Sequence, residues 1–113
     1  MQELTSTFQS LEEEIRLRIL ALLMEAGELC VCDLIAVLQL PQSTVSRHLS
    51  HLKNAGWLQD RREGVWIHYS IIKHPGPLQQ SLLPTLRYFL QQQELVKQDM
   101  ENLKGLAKDS SCA

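Results

Sequence analysis

Pro41 constrains the fold of this chain most, because it separates two short segments that each carry a helical pattern of apolar residues. Proline cannot continue a helical hydrogen-bond ladder, and it biases the preceding residue away from helical backbone. The first segment spans about residues 31–38, and the second ends at Gly56, a typical helix stop. Two short helices with a tight break predict a helix-turn-helix over residues 33–56. The apolar positions on which this rests are Leu34, Ile35, Leu38, Val45, Leu49 and Leu52.

The period of the apolar residues changes after Gly56. Residues 58–62 and 65–71 are short runs with β-branched and aromatic side chains, and Glu63-Gly64 between them suits a tight hairpin turn. A hairpin at this place predicts a wing over residues 57–72. The expected fold is therefore mainly α with a small β-hairpin, a winged helix-turn-helix that occupies residues 1–113 as a single domain.

Charge is distributed unevenly along the chain, whose net charge is -2. Residues 1–34 hold two arginines against seven acidic residues, whereas residues 41–74 hold five basic residues against two acidic ones and all four histidines. A local basic stretch in an acidic protein can bind phosphates without promoting indiscriminate binding. The alternative is an ordinary solvated charged face.

Hydroxyl and basic side chains mark the second helix of the pair as the one that would enter the major groove of double-stranded DNA. Serine and threonine can bind phosphates and base edges near a helix N-terminus, and arginine can read guanine with two hydrogen bonds. The wing adds two arginines that can reach a phosphate or the minor groove. The predicted DNA contacts are Gln42, Ser43, Thr44, Ser46, Arg47, His48, His51, Arg61 and Arg62.

Apolar stripes also occur at both ends of the chain, in residues 1–11 and 85–107. They would stay exposed in a monomer, so we expect them to pair in a homodimer with a two-fold axis, which implies an imperfectly palindromic operator. The alternative is that the last helix packs on its own core. Residues 108–113 are expected to form a flexible tail. The predicted dimer contacts are Leu4, Phe8, Leu11, Leu86, Leu90, Met100 and Leu103.

Composition and chain length favour a small cytoplasmic regulator over an enzyme. The N-terminal residues do not resemble a secretory signal, and the longest apolar run, residues 19–24, is far too short to span a membrane. Three cysteines without an export signal predict reduced thiols instead of a disulfide framework. No nucleophile, base and orienting group cluster in the sequence.

Cys30 and Cys32 form a Cys-x-Cys pair at the start of the first helix of the predicted motif. Residues two apart point about 200° apart on a regular helix, so the pair can hold one ion only on extended or unwound backbone. Thiolates select soft ions. Simple packing of buried cysteines is the alternative, but the spacing and position favour ligands.

Together these segments resemble the ArsR/SmtB family of metal-responsive repressors, and in particular its arsenical-sensing ArsR branch. The resemblance covers roughly residues 8–72. The segments that carry it are Ile15-Arg16-Leu17-Arg18-Ile19-Leu20-Ala21-Leu22-Leu23, Glu28-Leu29-Cys30-Val31-Cys32-Asp33-Leu34, Ser43-Thr44-Val45-Ser46-Arg47-His48-Leu49-Ser50-His51-Leu52 and Gly64-Val65-Trp66-Ile67-His68-Tyr69.

The resemblance implies a homodimeric repressor that needs no cofactor to bind DNA and leaves its operator when As(III) or Sb(III) binds Cys30 and Cys32. The family's arsenic sensors have a third cysteine where this chain has Ile35. Three solutions are open: Cys112 supplies the third thiolate, a small cellular thiol does so, or two thiolates suffice, as for a methylated arsenical. A thiol redox or sulfur-species sensor of the same fold is the alternative function.

Overall fold

The computed structural model describes residues 1–109, with side chains up to Leu106. Within this range the chain forms six helices and one three-stranded antiparallel sheet, so the predicted fold class is confirmed. No helix in this range is long and apolar enough to cross a membrane. The elements in chain order are α1 (Gln2–Ser10), α2 (Glu14–Ala26), β1 (Glu28–Cys30), α3 (Val31–Leu38), α4 (Gln42–Asn54), β2 (Leu58–Glu63), β3 (Trp66–Ile71), α5 (Pro77–Leu90) and α6 (Glu94–Asp109).

Helices α3 and α4 form the predicted helix-turn-helix. Gln39 ends α3 in the left-handed conformation, with φ of 56°, and Pro41 is the N-cap of α4. Pro41 has the extended backbone that a helix N-cap requires, and its missing N–H costs the helix nothing there. Gly56 follows α4 at a φ of 85°, which a side chain would strain.

The sheet contains one strand that the sequence pattern did not reveal. Strand β3 lies between β1 and β2, and Cys30 of β1 pairs with His68 of β3, which in turn pairs with Arg61 of β2. The wing turn consists of Gly64 and Val65, one residue later than expected, because Glu63 still pairs with Trp66. Gly64 supplies the positive φ of 62° that this tight turn needs.

The core is centred on α2, which packs against α4, α5, α6 and the sheet through its buried leucine and isoleucine side chains. Trp57 is fully buried beneath α1, and its Nε1–H donates to Ser10 Oγ at 2.7 Å. Arg16 of α2 is also buried and donates to the carbonyl oxygens of Ser10 at 2.8 Å and Gln9 at 3.0 Å. The indole N–H of Trp57 and the guanidinium of Arg16 therefore hold the last turn of α1 by hydrogen bonds.

The prediction that residues 85–107 belong to one last helix is wrong. Two helices occur instead, separated by Gln91–Gln93, and Pro84 lies inside α5. The glutamine run offers no apolar side chain to continue the stripe, and α6 folds back on α2 and α3. Arg18 of α2 forms an ion pair with the buried Asp99 of α6, with N–O distances of 2.8 and 2.9 Å.

The predicted dimer contacts on these helices consequently lie within the chain's own fold. Leu90 is buried against Ala21 and Val96, and Leu86 is partly buried. Met100 and Leu103 of α6 also pack against the core, as Leu11 of the N-terminal segment does. In contrast, Leu4 and Phe8 of α1 are exposed, by 44% and 50%. Residues 110–113, most of the expected flexible tail, lie outside the described residues.

Candidate functional site

Helix α4 presents most of the predicted DNA-contacting side chains on its outer face. Val45, Leu49 and Leu52 are fully buried and fix the rotation of the helix against the core. Thr44 and Ser46 are partly buried, and the exposed members of the set are Gln42, Ser43, Arg47 and His51. This face combines hydroxyl, amide and basic groups, which is the chemistry that base edges and phosphates accept.

His48 was predicted to contact DNA, but its side chain is buried and does not lie on the outer face of α4. Its side chain is 6% exposed, and Nη1 of Arg16 lies 3.2 Å from His48 Nδ1. Arginine can only donate, so Nδ1 accepts and the ring is neutral. Burial lowers the pKa of His48, and the Arg16 charge lowers it further. The apolar stripe of α4 contains this position: His48 lies between Val45 and Leu49 in the i, i+3, i+4 pattern, a signal that the sequence already held.

The two wing arginines have different surroundings. Arg61 donates to both carboxylate oxygens of Glu28, at 2.7 and 2.9 Å, and to Glu63 at 2.9 Å. The hydrogen bonds from Arg61 lower the pKa of Glu28 below its ordinary value. Arg62 is exposed and forms no ion pair with any described residue. The predicted contact of Arg61 with DNA therefore competes with two carboxylates.

The remaining basic residues of the segment 41–74 divide in the same way. Lys53 of α4 forms an ion pair with Asp60 of β2 at 3.1 Å. Arg47 and Lys73 are exposed and have no ion-pair partner within the part of the chain that the structure describes. With Arg62, they are the arginines and lysines of residues 41–74 whose charge no carboxylate of the described residues pairs.

Cys30 belongs to two elements at once. It is the last residue of β1 and the N-cap of α3, and its φ of -80° and ψ of 164° are those of extended backbone. The Asp33 N–H donates to Cys30 Sγ at 3.4 Å, and the Cys30 N–H donates to the Asp33 carboxylate at 3.1 Å. This reciprocal arrangement is a capping box in which sulfur replaces the usual hydroxyl.

Cys30 and Cys32 are joined as a disulfide, with their Cα atoms 5.4 Å apart, whereas composition predicted reduced thiols. The extended backbone at Cys30 directs both side chains to one side of the strand-to-helix junction, which brings the two sulfur atoms together. The Asp33 carboxylate belongs to the same cluster, since the three ligand atoms lie within 4.8 Å of one another. Cys30 is almost fully buried, whereas Cys32 and Asp33 are partly exposed.

The other predicted or compared positions lie apart from this cluster. Ile35 packs against the hydrophobic core. Cys112 lies outside the described residues. Asp99 of α6 is held by Arg18. Among the described residues, no other cluster of at least three histidine, cysteine or acidic side chains has metal-ligand geometry.

Comparison with known proteins places this arrangement in a family. The model of the bacterial regulatory proteins of the arsR family matches residues 13–59, from just before α2 into β2. The AntR antimony-specific transcriptional repressor has the same fold, with a TM-score of 0.63 and 33% identity, over 81% of this chain and 83% of that one. The chain belongs to the arsR family. The resemblance inferred from its sequence is thereby confirmed.

Two further proteins are similar to this arsR-family chain. The arsenical resistance operon repressor of Escherichia coli (strain K12) is 49% identical over 67 residues, 59% of this chain and 57% of the relative. The match therefore spans little more than half of that curated relative. HlyU from Vibrio cholerae N16961, also solved in a reduced form, aligns over 80% of this chain and 95% of its own, with 26% identity and a TM-score of 0.68.

Proposed function

We propose that this protein is a cytoplasmic repressor that binds double-stranded operator DNA and leaves it when trivalent arsenic or antimony binds Cys30 and Cys32. The observation that carries the proposal is the position of the two adjacent sulfur atoms at the start of α3, the first helix of the helix-turn-helix. The names of the relatives, an arsenical resistance repressor and an antimony-specific repressor, support the choice of effector.

Effector binding requires the reduced thiols and rebuilds the start of α3. Each thiol replaces one hydroxyl of arsenite: a sulfur–arsenic bond forms, and the hydroxyl leaves as water with the thiol proton. An arsenic atom between the two sulfurs would hold them farther apart than the direct bond between them does, which would displace Cys30 Sγ from the Asp33 N–H and weaken the capping box. Because α3 packs against α4, a change at this cap reaches the DNA-reading helix.

The effector lowers the affinity of the protein for its operator only if it binds the DNA-free conformation more tightly than the DNA-bound one. A coupling free energy of about 1–3 kcal/mol is typical of such regulators, which corresponds to a roughly 5- to 150-fold change in operator affinity. The loss of one helix cap is of the same order, since replacing a capping residue costs about 1 kcal/mol.

A homodimer completes the proposal. The exposed apolar side chains of α1, Leu4 and Phe8, are the remaining candidates from the predicted dimer set. Tyr88 and Phe89 of α5 add a second exposed aromatic pair, packed edge to face with ring centroids 5.1 Å apart. A Phe8→Glu variant should sediment as a monomer and bind the operator weakly, whereas Leu95→Glu, an exposed apolar position on α6, should remain dimeric.

Titration of a reduced protein–operator complex with arsenite tests the effector. Stoichiometric arsenite should dissociate the operator complex of the unaltered protein. The Cys30→Ser and Cys32→Ser variants should bind DNA and no longer respond to arsenite. X-ray absorption at the arsenic edge then counts sulfur neighbours. Three in the unaltered protein and two in Cys112→Ser would assign the third ligand to Cys112, and two in both would leave Cys30 and Cys32 as the complete site.

A redox sensor is the second candidate, and the disulfide between Cys30 and Cys32 is the observation that favours it. Oxidation would join the same sulfurs that the metalloid bridges and would remove them from metalloid binding. If peroxide or persulfide dissolves the operator complex and stoichiometric arsenite leaves it intact, the redox function replaces the metalloid one.

A further inference from the structure

The cysteine site and the wing share one face of the sheet. Side chains alternate between the two faces of a strand, so Glu28 and Cys30 point to the same side of β1. The cross-strand partners of Cys30 along this row are His68 on β3 and Arg61 on β2. Arg61 therefore binds a carboxylate that lies two residues before the effector ligand, on the same strand and the same face.

Arg61 has little capacity left for a phosphate. Its Nε, Nη1 and Nη2 atoms all donate to carboxylates, two of them to Glu28 in the paired geometry that guanidinium and carboxylate groups favour. Two acidic groups outweigh the single positive charge. Glu63 also lies 3.7 Å from His68 Nε2, so polar contacts link Glu28, Arg61, Glu63 and His68 across the three strands.

Arg62 occupies the opposite face of β2. Alternation places it on the side of Asp60, and Asp60 forms its ion pair with Lys53 of α4. This is the side of the wing that faces the predicted DNA-reading helix. Arg62 is exposed and forms no ion pair with any residue of the described range, so its charge is free to meet a phosphate.

We propose that the two wing arginines have separate roles: Arg62 contacts the DNA backbone, and Arg61 is a positioning residue, held by Glu28, through which the state of Cys30 reaches the wing. The second role rests on the proposed function. Strand β1 has three residues, with Glu28 at one end and Cys30 at the other. A displacement of Cys30 by a bound metalloid moves this short strand, and the Glu28–Arg61 pair carries the movement to β2.

Salt dependence of DNA binding separates the two roles without any effector. The probe is an operator duplex selected from a random-sequence pool by the full-length protein. Arg62→Gln should reduce the slope of log affinity against log salt by about one per protomer, the signature of one lost phosphate contact. Arg61→Gln should leave the slope unchanged. Equal losses of slope in both variants would overturn the separation.

Arsenite titration of the same complexes tests the positioning role. Glu28→Gln and Arg61→Gln should each change the ratio of operator affinities without and with arsenite by about three- to tenfold, and the double variant should show no further change. Arg62→Gln should retain the original ratio. Unchanged ratios in Glu28→Gln and Arg61→Gln would overturn the role of the pair.

Two controls keep these outcomes distinct from misfolding and from failure of the proposed function. Circular dichroism melting curves of all variants should coincide with that of the unaltered protein, because the substituted side chains lie at the surface. If arsenite does not release the unaltered protein, the metalloid function and the positioning role fail together, whereas the salt slopes still decide which arginine contacts DNA.

Discussion

Arg16 and Arg61 each form polar contacts with an element predicted to bind DNA, α4 for Arg16 and the wing for Arg61. The two arginines differ in how deeply they are buried. Arg16 is enclosed between α1, α2 and α4, where it donates to two α1 carbonyls and to His48. Arg61 lies at the surface and joins β1 to β2 through Glu28. The buried contact has no water to replace its partners, so it fixes the position of α4. The exposed contact can be exchanged for water at small cost, as a switch requires.

The largest effect should follow from removing the buried contact. Arg16→Leu leaves the Ser10 and Gln9 carbonyls and the His48 ring nitrogen without their donor, which should cost about 3 kcal/mol of unfolding free energy. Urea denaturation followed by circular dichroism measures this. Arg47→Gln on the exposed face of α4 is the matched control and should stay within about 0.5 kcal/mol of the unaltered protein. Similar losses in both variants would mean that burial does not distinguish these arginines.

A smaller effect is expected at the other side chain that holds α1. Trp57→Phe removes the hydrogen bond to Ser10 Oγ and part of a fully buried ring, which should cost about 2 kcal/mol. Trp66→Phe on the wing, where the ring is 43% exposed, should cost less than about 0.5 kcal/mol. The same denaturation curves decide the matter, and equal midpoints would contradict a structural role for the Trp57 indole.

The buried contact between Arg16 and His48 should also make the stability of the protein depend on pH. The folded chain lowers the pKa of His48, by burial first and by Arg16 second, so the unfolded chain binds its proton more readily. Stability should therefore fall as pH drops below about 6.5, the ordinary pKa of histidine. The nearby charges are Arg16, Arg47, Glu13 and His51.

His48→Gln isolates this contribution, because glutamine does not titrate. Urea midpoints of the two proteins, measured from about pH 8 to pH 5, should diverge toward the acidic end, with the unaltered protein losing more stability. Parallel curves would show that another group causes the acid sensitivity.

The smallest effect on stability is expected at the exposed contact. Glu28→Gln should leave the urea midpoint near neutral pH unchanged, because an exposed ion pair contributes little to folding. Its effect should appear only in the response of the operator complex to arsenite. A clear loss of stability in Glu28→Gln would remove the distinction between the two arginine contacts and would make the exposed pair a structural element.

The sequence predicted the parts of the fold that local signals specify. The bounds of α3 and α4 follow from Pro41, the leucine spacing and Gly56, all within a few residues of the helix ends they define. The wing follows from alternation and one glycine. The Cys30 and Cys32 cluster was also predictable, since Cys-x-Cys spacing at the start of a predicted helix is a local signal.

The missed features depend on partners distant in the chain. Strand β1 has only three residues and is recognisable only through its pairing with β3. The return of α6 brings Asp99 to Arg18 and Met100 and Leu103 to the core, and no helical period reveals these distant partners. Arg61 was assigned to DNA because the acidic partner that holds it, Glu28, is remote in sequence.

The pairing of Cys30 with His68 also has a consequence for protein synthesis. The ribosome completes α2 and α3 well before β3 exists, so the nascent chain has no strand against which residues 28–30 can be held extended. During that interval the two cysteines lie on an unpaired segment, without the backbone partner that later fixes Cys30. The proposed effector site is therefore complete only in a chain whose wing has been synthesised, because β3 supplies the backbone partner of Cys30.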